Sequence, residues 1–271
     1  MAWLDGRPAA GLAVDDRGLA YGDGLFETIK ISQGQPHLLS RHMARLGEGC
    51  RRLAIPCDEA LLTTEIRAFA KALGAGVCKL ILTRGSGLRG YRFPEPCRPS
   101  RLLIGAALPQ YPEAHAAQGV ALFPCVTRLA EQPLLAGLKH LNRLEQVLAR
   151  AEWDDSRFAE GLMRDYSGRV IEGVFSNLLL VRKQRLVTPD LSRCGVAGVM
   201  RAEILFLAER AGLACVVTDV DLDDLYQAEE VFLCNSLYGI WPVVALEAHR
   251  WSVGPLTRKL QGLLANQTGI P

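Results

Sequence analysis

The sequence predicts a mixed α+β protein with two domains. Its 271 residues exceed the roughly 100–200 residues of one typical domain. Segments with alternating apolar residues, typical of strands, are interspersed with segments whose apolar residues recur every three or four positions, typical of helices. Two prolines within residues 109–112 disfavour helix and indicate a linker. We therefore expect a smaller N-terminal domain over 1–109, a linker over 110–118 and a larger C-terminal domain over 119–271.

The N-terminal part contains the patterns of three strands and two helices. In chain order these are a strand over 26–31, helices over 38–53 and 58–73, and strands over 77–83 and 101–107. Asp58 belongs to the residue types that cap helix N-termini, and Gly74 to those that follow a helix end. The second helix is therefore predicted between these two residues.

The C-terminal part alternates in the same way. Its predicted strands cover 120–123, 162–165, 170–172, 178–181, 186–188, 214–217 and 230–233, and its predicted helices cover 141–153, 199–211 and 255–264. The first of these helices places its apolar residues on one face. The second follows a loop that contains glycines at 195 and 198, and the third has proline in its first turn.

Charge and composition exclude several classes of protein. Thirty-one basic and 29 acidic residues give a formal charge of +2, too balanced for a protein that recognises nucleic acid or a membrane surface by charge. No apolar run approaches the roughly 18–20 residues that cross a bilayer, and the N-terminus lacks a signal-peptide pattern. Eight scattered cysteines and five histidines show no metal-ligand spacing. We expect a cytoplasmic protein without a metal, a nucleic-acid partner or a membrane partner.

Residues 85–90 match the dinucleotide-binding pattern G-x-G-x-x-G. That motif needs a helix to begin on it, because the helix N-terminus binds the pyrophosphate. Prolines 94, 96 and 99 follow and exclude such a helix. A nucleotide-binding oxidoreductase is therefore a remote alternative. The glycines instead predict a loop that carries Arg84, Arg89 and Tyr91 toward an anion.

Lys139 and Glu172 are polar residues in apolar surroundings. Lys139 lies between leucines at the start of a predicted helix, and Glu172 interrupts an apolar strand. Each has an ordinary explanation, because such a lysine usually extends to water and such a glutamate is usually exposed. A lysine in apolar surroundings also loses proton affinity, which an imine-forming amine requires. The pattern alone leaves both explanations open.

Several motifs in a fixed order identify a family. They are 21–28 (YGDGLFET), 41–46 (RHMARL), 139–147 (KHLNRLEQV), Glu172 with 176–178 (SNL), 198–201 (GVMR) and 234–236 (CNS). Together they resemble the class IV aminotransferase-like family of pyridoxal-phosphate enzymes, over nearly the whole chain. The resemblance implies the two-domain fold type IV architecture, which is D-amino-acid aminotransferase-like, with pyridoxal 5'-phosphate as cofactor.

The resemblance also implies how the cofactor is bound. Lys139 would form a Schiff base with its aldehyde, and Glu172 would accept the hydrogen of the pyridinium nitrogen, so that the ring acts as an electron sink. The other residues that match the family's cofactor-binding positions are Arg45, Gly198, Val199, Met200, Asn235 and Ser236. A helix N-terminus at 198–200 suits a phosphate, because its backbone amides point at the anion.

Residues 139–147 resemble the lyases of the family more than its transaminases. The implied reaction converts 4-amino-4-deoxychorismate, a small-molecule substrate, to 4-aminobenzoate and pyruvate, a step toward folate. Lys139 would remove a proton, and Thr28 would give one to the departing enolpyruvate. The alternative within the family is an aminotransferase that acts on D- or branched-chain amino acids.

The substrate's two carboxylates imply basic groups at the site. Arg89 and Tyr91 are the candidates on the glycine-rich loop, because a guanidinium binds a carboxylate with two donors. The alternative is that the arginines between 84 and 101 form a solvated cluster. Asn142 and Arg143, beside Lys139, and Tyr21 are further candidates for substrate contact. The family resemblance also implies a homodimer.

Overall fold

The computed structural model describes residues 1–87 and 89–268. Leu88 of the glycine-rich motif and residues 269–271 of the predicted C-terminal domain lie outside this description. The described residues form two compact units. The first contains Met1–Pro109 and Leu138–Asn142, and the second contains Gln110–Gly137 and the residues from Arg143 onward.

The first unit is an antiparallel sheet with helices. Its strands are β1 (Ala2–Leu4), β2 (Arg7–Pro8), β3 (Gly24–Ser32), β4 (Gln35–Pro36), β5 (Gly76–Thr83) and β6 (Ser100–Ala106), and its helices are α1 (Arg17–Tyr21), α2 (Leu39–Leu53) and α3 (Glu59–Leu73). The strand order is β2-β1-β6-β5-β3-β4. The side chain of Asp58 accepts a hydrogen bond from the amide of Leu61 and caps α3. The predicted strands and helices of this region are confirmed.

Strand β3 has two different faces. Leu25, Ile29 and Ile31 are buried in a core that also contains Leu46 of α2 and Phe69 of α3. The alternate residues of the strand are half-buried and lie on the opposite face. The strand pattern therefore separates a core face from a face that is available for chemistry.

The second unit is built on a mixed sheet. Its strands are β7 (Val120–Leu129), β8 (Phe158–Asp165), β9 (Val170–Gly173), β10 (Asn177–Arg182), β11 (Arg185–Pro189), β12 (Cys215–Thr218), β13 (Glu230–Asn235), β14 (Gly239–Leu246) and β15 (His249–Arg250). Its helices are α4 (Glu113–Gln118), α5 (Leu144–Arg150), α6 (Val199–Arg210), α7 (Leu222–Tyr226) and α8 (Pro255–Thr268). The strand order is β12-β11-β10-β13-β14-β7-β8-β9, and β9 also pairs with β10, so that six of these strands close into a ring.

Helix α4 lies within the predicted linker. It begins directly after Pro112, which occupies its N-cap position. Proline is tolerated at a helix start, because the first amides have no partner within the helix. The two prolines therefore mark the start of a short helix, while most of the linker region is helical.

Helix α5 is shorter than predicted and begins three residues later, at Leu144. Residues 139–141 pair with β3 instead: the amide of Phe26 donates to the carbonyl of Lys139 at 2.9 Å, and the amide of Leu141 donates to Gly24 at 3.0 Å. The prediction that Lys139 lies at a helix start is wrong. Through this pairing the lysine belongs to the N-terminal unit and not to the C-terminal domain, where its position in the sequence predicted it.

The glycine-rich segment is not followed by a helix in the described chain, since residues 91–99 are irregular. The geometry that a dinucleotide would need at a helix N-terminus is therefore absent there. Among the described residues, no helix has both the length and the apolar character to cross a bilayer.

Arg84 is buried. Two roles were predicted for it, contact with an anion and membership of a solvated cluster, and burial agrees with neither. Its guanidinium donates to the carbonyls of Leu53 and Ala54 at the end of α2, at 2.7 and 2.8 Å. It also donates to Asp23 at 2.8 Å. Burial opposes ionisation of Asp23, but hydrogen bonds from Arg84 and Arg17 hold the pKa of this carboxyl below its ordinary value. Arg84 is thus a structural residue that joins α2 to the start of β3.

We predict that Arg84→Met lowers the free energy of unfolding by about 3 kcal/mol, because it leaves buried acceptors without a donor. Arg92→Met, at an exposed position a few residues away, should change it by less than about 0.5 kcal/mol. Urea unfolding followed by circular dichroism measures both. Equal stability of the two variants would contradict the structural role of Arg84.

Candidate active site

Lys139 lies beside the half-buried face of β3. Its Nζ is 4.4 Å from the centroid of the Phe26 ring, a cation–π distance. The backbone pairing of residues 139–141 with β3 fixes this position, because both neighbouring hydrogen bonds are made to main-chain atoms. Thr28 is two residues from Phe26 and lies on the same face of the strand. The structure therefore places both predicted catalytic residues along one strand face.

A buried ionic network lies on the opposite face of β3. Glu27 accepts from Nε of Arg45 at 2.8 Å and from a second nitrogen of the same guanidinium, and it contacts Nδ1 of His42 at 2.6 Å. Burial alone would raise the pKa of Glu27, but the charges and hydrogen bonds of Arg45 and His42 lower it to about 2. Burial lowers the pKa of His42, although Glu27 opposes this effect.

The network fixes the orientation of Arg45, the predicted phosphate ligand. Two of its nitrogens are bound to Glu27, so the guanidinium is held as a rigid fork. Sequence reasoning missed Glu27 and His42. The available signal was a charged residue at position 27, on the strand face where Leu25 and Ile29 are apolar.

Glu172 lies on β9 and is buried. Its Oε2 accepts from the amide of Val196 at 2.9 Å and from the side-chain amide of Asn177 at 3.4 Å. Asn177 is the residue opposite Glu172 in the β9–β10 pair, and its amide also donates to the carbonyl of Val196 at 2.8 Å. Asn177, which was not among the predicted site residues, therefore links the carboxylate to the loop before α6.

The N-terminus of α6 has the form of an anion site. Val199 and Met200 are its first residues, and Gly198 is its N-cap, without a side-chain hydrogen bond at the cap. A Cβ atom on residue 198 would lie 1.9 Å from Oδ1 of Asn177, so only glycine fits beside this amide. The uncapped amides suit a phosphate, because helix N-termini attract negative charge.

Glu160 lies in the second unit beneath the turn 173–176, which joins Glu172 to Asn177. Its carboxylate accepts from the amides of Gly161, Val174 and Phe175 at 2.9, 3.0 and 3.3 Å, and from the hydroxyl of Ser176. Burial raises the pKa of Glu160 to about 7, against the lowering effect of these hydrogen bonds. This carboxyl holds the turn that positions Glu172 and Asn177.

Other predicted residues have varied positions. Arg143 is half-buried, and burial lowers its pKa while the charge of Glu172 partly opposes this. Asn142 donates its side-chain amide to the carbonyl of Gly22 at 3.2 Å. The side chain of Asn235 accepts from two backbone amides of its own turn, and Ser236 is half-buried in that turn.

Tyr21 supports the glycine-rich loop. Its hydroxyl accepts from the amide of Gly90 at 3.0 Å, and its ring centroid is 5.5 Å from that of Tyr91. Arg17 donates to the carbonyl of Gly90 at 2.8 Å. The predicted substrate contacts Arg89 and Tyr91 are exposed, Tyr91 by 85%. Whether they contact substrate stays a prediction.

This fold and the position of Lys139 define a class of protein. A model of the amino-transferase class IV family matches residues 24–246, and the chain belongs to this family. The predicted family and its α+β fold are therefore confirmed.

The chain is similar to lyases of this family. It is 39% identical to aminodeoxychorismate lyase of Vibrio harveyi, over 97% of this chain and 99% of that protein. The solved structure of 4-amino-4-deoxychorismate lyase from Pseudomonas aeruginosa is 65% identical and matches with a TM-score of 0.98, over 98% of this chain and 99% of that one. D-alanine aminotransferase of Bacillus licheniformis is 28% identical, over 96% and 93%.

We predict that Glu160 makes stability depend on pH. Its carboxyl has an ordinary pKa of 4.5 in the unfolded chain and about 7 in the folded protein. The folded state therefore holds the extra proton between these values, and raising the pH from 4.5 to 7 removes about 3 kcal/mol of stability. The last part of the loss occurs as the pH rises through 7, where the folded carboxyl gives up its proton.

Glu160→Gln should remove this dependence, because glutamine does not titrate. Its side-chain oxygen can still accept from the amides of Gly161 and Val174, so the turn keeps these contacts. The test is the stability difference between wild type and variant, measured by urea unfolding from pH 5 to 8. Glu209→Gln, at an exposed position of α6, is the control and should follow wild type. A constant difference between wild type and Glu160→Gln would contradict the prediction.

Proposed function

We propose that the chain is a pyridoxal-phosphate-dependent lyase that converts 4-amino-4-deoxychorismate to 4-aminobenzoate and pyruvate. The observation that carries the proposal is full-length similarity, at 39% and 65% identity, to proteins named as this lyase. The position of the Lys139 amine against Phe26 supports it from the structure.

The residues present fit the cofactor. The uncapped amides of α6 and the glycine at 198 suit a phosphate group. A buried carboxylate at 172, oriented by Val196 and Asn177, suits a protonated ring nitrogen, since a buried carboxylate needs a cationic or hydrogen-bonding partner. The family resemblance implies that Asn235, Ser236 and Arg45 bind the same phosphate. The guanidinium of Arg45 is oriented for this by its hydrogen bonds to Glu27.

The chain's own residues move the protons. When bound, the cofactor supplies an aldehyde for covalent attachment and a ring that accepts electrons from the substrate. The unprotonated amine of Lys139 takes the proton from the substrate carbon that bears the amino group. The bond from the neighbouring carbon to the enolpyruvyl oxygen then breaks, and the carbocycle becomes aromatic. Thr28 gives a proton to the enolpyruvyl methylene, which completes pyruvate.

We also propose a homodimer formed through α5. Leu144, Val147 and Leu148 are spaced along one face of this helix and are 76%, 60% and 61% exposed. An apolar stripe of this kind on a short surface helix is typical of an interaction site. The family resemblance implies a homodimer, and we assign this exposed face of α5 to its interface.

We predict that purified protein with cofactor has a visible absorption band that borohydride bleaches. Peptide mass analysis should then find the cofactor fixed to Lys139. Lys139→Ala should lose the covalent link and reduce turnover by at least about a thousandfold, because the nucleophile and the base are the same amine. Cofactor fixed to any other lysine would contradict the assignment.

Product analysis separates the two activities of the family. Wild-type protein given 4-amino-4-deoxychorismate should release fluorescent 4-aminobenzoate and an equal amount of pyruvate. Formation of glutamate from 2-oxoglutarate and an amino acid, without that fluorescence, would favour the aminotransferase and overturn the lyase.

The dimer has its own test. The double variant Leu144→Asp, Val147→Asp should elute in size-exclusion chromatography as one chain of 29.6 kDa, because charge replaces the apolar contact, whereas wild type should elute at twice that mass. Val217→Asp, at another exposed valine, should remain dimeric. A double variant that elutes like wild type would exclude α5 from the interface.

A further inference from the structure

Two of the eight cysteines meet at the turn that joins α2 to α3. Cys50 is buried near the end of α2, and Cys57 is half-buried just before α3. Ala54 follows α2 with a left-handed backbone, and the amide of Ile55 donates back to the carbonyl of Cys50 at 2.9 Å. This reversal of the chain is typical of a helix C-terminus. It returns Cys57 to the hydrophobic core that contains Cys50.

The side chains of these two cysteines contact each other, since their thiols share a hydrogen bond. Both are free cysteines in the structure. By contrast, the thiols of Cys97, Cys125 and Cys215 donate to backbone carbonyls. A disulfide requires two side chains that point toward each other, with Cβ atoms about 3.8 Å apart. The hydrogen bond shows that the side chains of Cys50 and Cys57 point toward each other.

The pair combines a partly accessible thiol that ionises readily with a buried thiol that does not. The hydrogen bond with Cys50 lowers the pKa of Cys57, and the positive charge of Arg101 has the same effect, while burial and two neighbouring carboxylates oppose both. The hydrogen bond with Cys57 raises the pKa of Cys50, and burial raises it further. Because the thiolate is the nucleophile in exchange with a disulfide, Cys57 is the thiol that reacts first.

We propose that Cys50 and Cys57 form a reversible disulfide by exchange with a small-molecule disulfide of the oxidised glutathione type. The thiolate of Cys57 first bonds to one sulfur of oxidised glutathione, and the other glutathione leaves and takes up the proton that Cys57 released. Cys50 then bonds to the sulfur of Cys57, and the second glutathione leaves with the proton of Cys50. The two protein thiols lose two electrons, which reduce one glutathione disulfide to two thiols. This inference does not depend on the proposed function.

The disulfide closes a loop over residues 50–57, between the end of one helix and the start of the next. Such a cross-link reduces the conformational freedom of the unfolded chain and stabilises the folded state, more for longer loops. The loop is short and already folded in the native turn. We therefore expect the midpoint of urea unfolding to be about 0.5–1 M higher in the oxidised protein than in the reduced protein.

The test incubates the full chain with oxidised glutathione, blocks the remaining thiols with iodoacetamide and digests the protein with trypsin. Trypsin cleaves at the arginines of this segment and places the two cysteines in different peptides, 46–51 and 53–67. Wild type should yield these two peptides joined by a disulfide, and dithiothreitol should separate them.

Three single variants define the order of the steps. Cys50→Ser should stop after the first step and retain glutathione on Cys57. Cys57→Ser should retain no glutathione on Cys50, because this thiol is buried and its pKa is raised. Cys215→Ser, at an exposed cysteine, is the control and should give the joined peptides as wild type does. Circular dichroism shows whether each variant is folded.

Three results would overturn the proposal. The first is wild type in which peptides 46–51 and 53–67 stay separate and alkylated after incubation with oxidised glutathione. The second is glutathione retained on Cys50 in Cys57→Ser but not on Cys57 in Cys50→Ser. The third is a lower urea midpoint after oxidation of wild type, because the bond would then distort the native turn. The first and third use only wild-type protein, so they hold even where a variant fails to fold.

Discussion

The pairing of residues 139–141 with β3 is the interaction on which the proposed chemistry depends. Hydrogen bonds from Phe26 to the carbonyl of Lys139, and from Leu141 to the carbonyl of Gly24, attach the lysine's backbone to the strand on both sides. They fix the amine against the Phe26 ring without using any side-chain atom. The main chain of this lysine is therefore part of a sheet, and that pairing sets where its side chain lies.

Buried carboxylates are the second common feature, and each has its own donors. Glu27 is bound by a guanidinium and an imidazole, Glu160 by three backbone amides and a hydroxyl, and Glu172 by a backbone amide and an asparagine. The pKa values diverge accordingly: charged partners lower that of Glu27 to about 2, whereas burial among neutral donors raises that of Glu160 to about 7. Because both carboxylates are buried, the charge of the neighbouring groups accounts for the difference between their pKa values.

Local pattern predicted most elements, and nonlocal contacts explain the exceptions. Apolar periodicity placed α2, α3 and β5 within about one residue, because each buries a regular face. It failed at Lys139, where pairing with a distant strand replaces the first turn of a helix. The family resemblance assigned roles to Lys139 and Glu172, but none to Asn177 or Glu27, although both lie within its motifs. Their contacts depend on which strands and helices become neighbours, and the sequence pattern does not specify that.

The hydrogen-bond partners and the burial of a basic side chain in the folded protein show whether it serves the fold or is a candidate for binding a ligand. By sequence, Arg84 and Arg89 were both candidates for contact with an anion, since both belong to the glycine-rich loop. Arg84 is enclosed by helix-terminal carbonyls and Asp23, so its hydrogen-bonding capacity serves the fold. Arg89 is exposed, so burial does not assign its guanidinium to the fold.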